Sequence, residues 1–217
     1  MHKLPVNPSA PPNWSSALKD KTFRQNFFIS LSLLILVLIF FFFILQFTEE
    51  RNGITIEKGW LTGIIPPTDF STWIFTFTYS ATLLGLICCF LKPATTQLLI
   101  RTYLLLQLLR AITLLLFPLN PPEEIIPLND PFLHATFYNG RPNLKDLFFS
   151  GHVATLLMFI PISTNKWIRL ILAIAATAAG ILLIAQRVHY ILDVIAAPVF
   201  TVLAFHLAKR WTKTHGA

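Results

Sequence analysis

A histidine and an aspartate near the C-terminus have the spacing of a catalytic pair. His189 and Asp193 are four residues apart, so on a helix their side chains lie on one face. A carboxylate in that position can accept a proton from one imidazole nitrogen, which fixes the tautomer and makes the other nitrogen a better nucleophile. Arg187, two residues earlier, would offer a fixed guanidinium fork to phosphate oxygens. The segment is therefore suited to phosphoryl transfer through a phosphohistidine.

A second segment, Ser150-Gly151-His152, has the features of an anion-binding helix start. Serine is a favourable N-cap residue, and glycine lets a phosphate approach the backbone closely. The free N–H groups at positions 151–153 would then bind an anion, and the helix dipole would strengthen that binding. His152, in the first turn, could protonate a leaving oxygen. We expect this segment to supply the phosphate site and the general acid.

The elements that must position these residues are membrane-spanning helices. The chain is 54% hydrophobic and only 12% charged, whereas soluble domains carry about 25% charged residues. Apolar runs of about the length that crosses a bilayer predict an all-α, polytopic bundle of six transmembrane helices in one membrane domain, residues 27–208. Residues 1–26 are predicted to form a flexible cytoplasmic tail, and residues 209–217 a short basic cytoplasmic tail. The six predicted spans are 27–47, 71–91, 97–117, 147–165, 167–186 and 189–208.

The pattern of charges orients this bundle. Most Lys and Arg residues fall at span ends on the same side as both termini, which places the termini in the cytoplasm and the long connections 48–70 and 118–146 outside. We therefore interpret the net charge of +7 as membrane orientation and not as nucleic-acid binding. His152 and His189 are 37 residues apart, yet both fall at outer helix ends. This shared location predicts one active site on the extracytoplasmic face.

The fourth span is short for a transmembrane helix. A helix that starts at Ser150 has only about 15 residues, or ~22 Å, before Lys166, which is less than the ~30 Å of a hydrocarbon core. We expect a site recessed below the membrane surface, near the depth of the headgroups. That depth suits a lipid substrate.

Structural roles compete with these assignments. His189 and Asp193 could form a buried polar clamp between helices, and a lone membrane histidine such as His206 is most often a hydrogen bonder in helix packing. Arg110 could bind phosphate, or it could pair with Asp193 or a loop carboxylate. Lys145 could bind phosphate or be a solvated loop charge. No cluster has metal-ligand spacing, so the sequence predicts a reaction without a metal or other cofactor.

The two histidine segments resemble the type 2 phosphatidic acid phosphatase (PAP2) superfamily, and more particularly its sphingomyelin synthase-like branch. That branch has Gly-Asp-x3-Ser-Gly-His and His-Tyr-x2-Asp-Val, which are similar to Asp146–His152 and His189–Val194. An earlier Arg-x2-Thr of the branch resembles Arg110–Thr113. The classical phosphatase branch fits less well, because it has a proline where this chain has Phe149. The similarity extends over roughly residues 70–208.

The resemblance implies a role for each candidate residue. His189 would be the nucleophile that takes a phospho-headgroup from a phospholipid, Asp193 would orient it, and His152 would be the general acid and then the general base. The branch also has six spans, cytoplasmic termini and an exoplasmic site. The candidates for binding phosphate or substrate are Arg110, Lys145, Ser150, Gly151 and Arg187.

Three functions remain open at this point. The first is transfer of a phospho-headgroup to a lipid alcohol such as ceramide or diacylglycerol, and the second is hydrolysis of a lipid phosphate with water as acceptor. Both use the same catalytic residues, so only the better match to the transferase branch separates them. The third is a non-catalytic membrane scaffold or transporter, for which His189→Ala would leave function intact. The expected partners are phospholipid and lipid-alcohol substrates, and no nucleic acid.

Overall fold

The computed structural model describes residues 13–56, 66–128 and 143–214. Within these ranges the chain is helical, and its strand-like pairing is limited to an isolated bridge between Ile54 and Leu119. The predicted all-α class is confirmed for this part of the chain. The helices are α1 (Trp14–Lys19), α2 (Lys21–Glu50), α3 (Ser71–Phe90), α4 (Pro93–Leu116), α5 (Gly151–Ile162), α6 (Lys166–Ala185) and α7 (Ile191–Thr214).

Five of these helices, α2, α3, α4, α6 and α7, are long and apolar enough to cross a membrane. They indicate a multi-pass membrane protein, but the predicted count of six spans is not confirmed. The fourth predicted span, 147–165, contains only the 12 residues of α5, which measure about 18 Å. Asn165 caps α6 by accepting a hydrogen bond from the backbone N–H of Trp167, so the chain has to leave α5 before that point.

The N-terminal region differs from its prediction. Residues 14–26 were expected to be part of a flexible tail, but they form α1 and the start of α2. Asn13 caps α1, and Asp20 caps α2 by accepting from the backbone N–H of Thr22 at 2.9 Å, so polar caps start the helices before the apolar run begins. Residues 1–12 lie outside the described ranges. At the other end, α7 continues through residues 209–214, which were assigned to a separate tail.

The core lies where α4 packs between α2 and α7, with α5 and α6 against α7 and α3. Small residues let these helices approach closely, as is typical of membrane helices. At Gly85 on α3, an added Cβ would lie 2.4 Å from the ring of Phe159 on α5. The outward faces carry exposed apolar side chains such as Leu36 and Phe43 on α2. This surface is suited to contact with lipid chains.

Hydrogen bonds gather six helix termini at one end of the bundle, which we call the loop end. The ends of α2 and α4 meet there, because Arg51 donates to the carbonyl oxygens of Leu114 (2.6 Å) and Leu115 (2.9 Å). The end of α6 meets the start of α3, where the Gln186 side-chain oxygen accepts from the backbone N–H of Phe70 at 2.8 Å. The starts of α5 and α7 also lie at the loop end. The opposite end, which carries α1 and the last turn of α7, is the terminal end.

Two connections are joined over the loop end. The backbone N–H of Ile54 donates to Pro118 O at 2.8 Å, and that of Asn120 donates to Ile54 O at 2.9 Å. Gly53 is required for this contact, since an added Cβ would lie 2.5 Å from the carbonyl carbon of Leu119. Residues 51–56 and 117–128 therefore form a bonded cover beside the termini of α5 and α7.

Candidate active site

His189 and Asp193 are bonded, but His189 lies two residues before α7, which begins at Ile191, and not on the helix as the predicted span 189–208 requires. His189 Nδ1 lies 3.3 Å from Asp193 Oδ2, and both side chains are buried. The same carboxylate oxygen accepts from the backbone N–H of Tyr190 at 3.0 Å, as an acidic residue in the first turn of a helix does when it caps the preceding N–H. One carboxylate thus starts α7 and orients the imidazole. Nε2 is the ring nitrogen that the carboxylate does not hold.

The second segment is attached directly to this pair. The backbone N–H of Ser150 donates to the carbonyl oxygen of Asp193 at 3.1 Å, which joins the start of α5 to the first turn of α7. His152 follows in the first turn of α5 and is half-buried. The bond brings the Ser150-Gly151-His152 segment and the His189–Asp193 pair to the same place, as the sequence predicts.

Ser150 occupies the N-cap position, but its hydroxyl does not cap the helix. Within the described residues, Ser150 Oγ and Asp193 Oδ1 are buried atoms without a hydrogen-bond partner. Buried polar groups are nearly always hydrogen-bonded, so these two atoms are suited to bind polar groups that enter the site. The expectation of a side-chain cap at Ser150 is wrong, because its hydroxyl oxygen accepts from no backbone N–H of the first turn of α5.

Arg110 on α4 lies against the Ser150-Gly151 turn. Its Nε donates to Phe149 O at 3.4 Å, and its Nη2 forms a hydrogen-bonded ion pair with Asp146 Oδ1. An added Cβ at Gly151 would lie 2.6 Å from Arg110 Cζ, so glycine is required for the guanidinium to approach this backbone. Of the alternatives weighed for Arg110, pairing with a loop carboxylate is the one observed, and it places the charge beside the predicted phosphate site.

Arg187 has an unusual backbone conformation. It follows α6, where Val188 N donates to Leu183 O at 2.9 Å and Arg187 N donates to Ile184 O at 3.0 Å, the bonds of a Schellman motif. Arg187 has a φ of 61°, and glycine is the usual residue there because other residues are strained by about 1–3 kcal/mol. Its buried guanidinium lies 3.4 Å from Glu124. A strained arginine at this position suggests that its side chain is needed.

Lys145 is bonded to the end of α2. Its ammonium donates to Arg51 O at 2.6 Å, and its backbone N–H donates to Glu49 Oε2 at 3.0 Å. A cation at the carbonyl end of a helix is favourable for the helix dipole. These contacts show how the 143–150 segment is attached to α2. A role for Lys145 in phosphate binding stays a prediction.

Further contacts hold the site to the cover. The Tyr190 hydroxyl donates to Asn120 O at 3.0 Å. The buried Gln186 side chain donates to Ser71 Oγ at 2.9 Å and Ile126 O at 3.2 Å. Together with the ion pair to Glu124, these bonds join the 186–190 turn to the start of α3 and to residues 120–126.

Sequence reasoning did not assign two carboxylates to the site. Asp146 lies four residues before Ser150, within the segment that resembles the family, and this position was the available signal. Glu124 lies in a loop far from either histidine, and nothing in its spacing indicates Arg187 as its partner. No group of three His, Cys, Asp or Glu residues in the described ranges is arranged to hold a metal ion.

Comparison with protein families finds a match over the part of the chain that contains both histidine segments. Residues 145–210 match the family model described as PAP2 superfamily C-terminal. The matched region contains both histidine segments and Asp193 but not Arg110. No curated protein and no solved structure matches the chain. The match to residues 145–210 supports membership of the PAP2 superfamily, whose members are generally phosphatases or phosphotransferases.

Proposed function

We propose that the protein is an integral-membrane lipid phosphotransferase of the sphingomyelin synthase-like type. It would move a phospho-headgroup from a phospholipid donor to a lipid alcohol, ceramide or diacylglycerol. The bonded His189–Asp193 pair, joined through Asp193 O to the Ser150 backbone, supports two-step phosphoryl chemistry. The better match of the two histidine segments to the sphingomyelin synthase-like branch favours a lipid alcohol over water as the acceptor. Two histidine segments and a buried orienting carboxylate are the parts that a two-step transfer through a phosphohistidine needs.

In the first step, His189 Nε2 attacks the phosphorus of the donor. A P–N bond forms while the P–O bond to the donor's lipid alcohol breaks, and His152 gives its proton to the leaving oxygen. In the second step, the acceptor hydroxyl loses its proton to His152 and attacks the phosphorus, and the P–N bond breaks. Asp193 holds the tautomer and stabilises the positive charge on the ring during both steps.

Fixed positive charge supports these steps. Negative charge builds up on the phosphoryl oxygens in the transition state, and guanidinium groups that are already oriented stabilise it without reorganisation. Arg110 beside Gly151 and Arg187 beside His189 are the candidates for this role. The backbone N–H groups at the start of α5 add an anion site at the positive end of the helix dipole.

We propose that the loop end faces the extracytoplasmic side of the membrane and that both termini are cytoplasmic. The support is the distribution of basic residues. The terminal end carries Lys19 at the end of α1, Lys21 and Arg24 at the start of α2, and Lys209 and Arg210 near the end of α7. Basic residues are enriched on the cytoplasmic side of membrane proteins. Cysteine labelling at each end in intact membrane vesicles tests this orientation.

Product analysis tests the proposed reaction. The protein, purified in detergent, is incubated with a labelled phospholipid with and without ceramide or diacylglycerol, and products are resolved by mass spectrometry. We expect a new headgroup-bearing lipid only when the acceptor is present, and its loss in His189→Ala. His206→Ala is the matched control, because His206 lies on α7, the helix that carries Asp193, with an exposed side chain bonded to Val202 O.

Other results identify the alternatives. Release of phosphate or a phosphorylated headgroup regardless of acceptor would show that the protein is a lipid phosphate hydrolase with the same site. Equal inactivity of the wild type and His189→Ala across a broad lipid panel would contradict both enzymatic functions and favour the scaffold or transporter.

A further inference from the structure

A third buried arginine lies at the terminal end, away from the candidate active site. Arg101 on α4 has a side chain that is 1% exposed. Its Nε donates to Ser30 Oγ on α2 at 3.0 Å, and its Nη1 donates to Thr212 Oγ1 on α7 at 3.1 Å. Its Cζ lies 4.7 Å from the ring centroid of Trp211. The guanidinium is therefore held where three helices meet.

The two hydroxyls are arranged as acceptors for this guanidinium. Ser30 Oγ donates its own proton to Asn26 O at 2.7 Å, and Thr212 Oγ1 donates to Ala208 O at 2.8 Å. Each hydroxyl thus donates its proton to a backbone carbonyl of its own helix and accepts a hydrogen bond from Arg101. The remaining three of the five N–H donors of a guanidinium make no hydrogen bond with the described residues.

The charge of Arg101 has no carboxylate partner in the described ranges, unlike the other two buried arginines. Arg110 pairs with Asp146, and Arg187 pairs with Glu124, whereas the contacts of Arg101 are two neutral hydroxyls and an aromatic face. Burying an unpaired charge is costly, above all inside a membrane domain. A bound anion would remove this cost.

We propose that Arg101 binds the phosphate group of a phospholipid headgroup from the leaflet at the terminal end. A guanidinium fork pairs with two oxygens of a phosphate at once, and three donors remain for that purpose. Trp211 is half-exposed in the last turns of α7, as expected for an aromatic side chain at headgroup depth. Lys209 and Arg210, also near the end of α7, add the positive potential that attracts anionic lipids.

This lipid would not be the substrate, because the site lies at the end of the bundle opposite to His189. It would join α2, α4 and α7 as a bound component of the bundle. The inference does not depend on the proposed function, and it holds for a transferase, a hydrolase or a scaffold.

Lipid-dependent stabilisation tests this site. The melting temperature of the full-length protein in neutral detergent is measured with increasing phosphatidylglycerol and, separately, with inorganic phosphate. A ligand that binds only the folded state at about 100 times its Kd should raise Tm by roughly 5–10 °C. We expect Arg101→Met to lose most of this rise. Arg169→Met is the matched control, because Arg169 is an exposed arginine at the same end, in the first turn of α6, and it should keep the full rise.

The two ligand arms identify the source of the phosphate. A rise with phosphatidylglycerol alone assigns the site to a lipid headgroup, and an equal rise with inorganic phosphate assigns it to free phosphate. Lipid that binds at the loop end would stabilise wild type and Arg101→Met alike, so it cancels in the comparison.

An equal rise in the wild type and Arg101→Met would overturn the proposal, whatever the starting Tm of the variant. If that variant does not fold, Arg101→Lys replaces it, since it keeps the charge but lacks the bidentate fork. Its rise should be less than half that of the wild type. A full rise in Arg101→Lys would then also overturn the proposal.

Discussion

The buried arginines at the two ends of the bundle differ in the charge of their hydrogen-bond partners. At the loop end, Arg110 and Arg187 are neutralised by Asp146 and Glu124, and both lie beside residues of the histidine segments. At the terminal end, Arg101 is bonded to neutral hydroxyls. The carboxylates that pair with these two arginines come from the connections, whereas Asp193, which orients His189, lies on α7. Charge placement at the site therefore depends on loops as well as on helices.

The largest effect should follow from neutralising the orienting carboxylate. Asp193→Asn keeps an oxygen that can accept from Tyr190 N, so the start of α7 should be preserved. It removes the charge that fixes the tautomer of His189, and turnover should fall roughly 10⁴-fold, as when the carboxylate of a Ser-His-Asp triad is replaced by an amide. Steady-state assays with the labelled phospholipid measure this loss. Normal turnover in Asp193→Asn would leave the pair with a packing role only.

Arg187→Gly should separate stability from activity. Glycine adopts the left-handed conformation without strain, so Tm should stay the same or rise by roughly 2–4 °C. Turnover should fall roughly 10²-fold because an oriented positive group is lost. Thermal unfolding and kcat/KM are measured on the same preparation. A lower Tm with unchanged kcat/KM would mean that the arginine stabilises the turn and takes no part in the reaction.

Asp146→Asn should break the charge balance of the loop end. It leaves the buried guanidinium of Arg110 without its partner, which costs about 3 kcal/mol of the free energy of unfolding, and a displaced guanidinium should lower turnover roughly tenfold. Denaturant titration measures the first effect. The double variant Asp146→Asn/Arg110→Gln should recover part of the stability but none of the activity. If the effects of the two substitutions on the free energy of unfolding are additive, Asp146 and Arg110 do not stabilise each other, and the ion pair is contradicted.

The smallest catalytic effect is expected at the terminal end. Arg101→Met should leave kcat/KM unchanged at saturating lipid, since Arg101 touches no residue of the loop end. Arg110→Met, in the same assay, should reduce kcat/KM strongly. Equal losses in the two variants would erase the contrast between the ends and indicate that α4 transmits the change along its length.

Short-range features of the site could be predicted from the sequence. The spacing of four between His189 and Asp193 predicts their contact, which forms although His189 lies just before α7. The order of the apolar runs also predicts that His152 lies at the same end. Pairings that depend on tertiary packing could not be predicted. Asp146 and Glu124 lie in irregular segments whose approach to an arginine has no periodic signal, and the left-handed turn at Arg187 has no glycine to mark it.

The fold shows a similar division. Apolar runs predict the long helices because burial in lipid requires an uninterrupted apolar surface. The helix limits follow polar caps instead. Asn13 and Asp20 start α1 and α2 within the predicted tail. Asn165 starts α6, so α5 has to end before it and has only 12 residues. Weighing caps against hydropathy at each span end would have moved these limits in the right direction.

Trapping the covalent intermediate tests the central claim most directly. The protein is mixed briefly with a labelled phospholipid donor without acceptor, quenched at alkaline pH, digested and analysed by mass spectrometry. We predict a phospho-adduct on the peptide that contains His189, and this adduct should be lost when a lipid alcohol is added. The adduct should also form in His206→Ala but not in His189→Ala. An adduct on another residue, or turnover without any adduct in the wild type, would contradict His189 as the nucleophile.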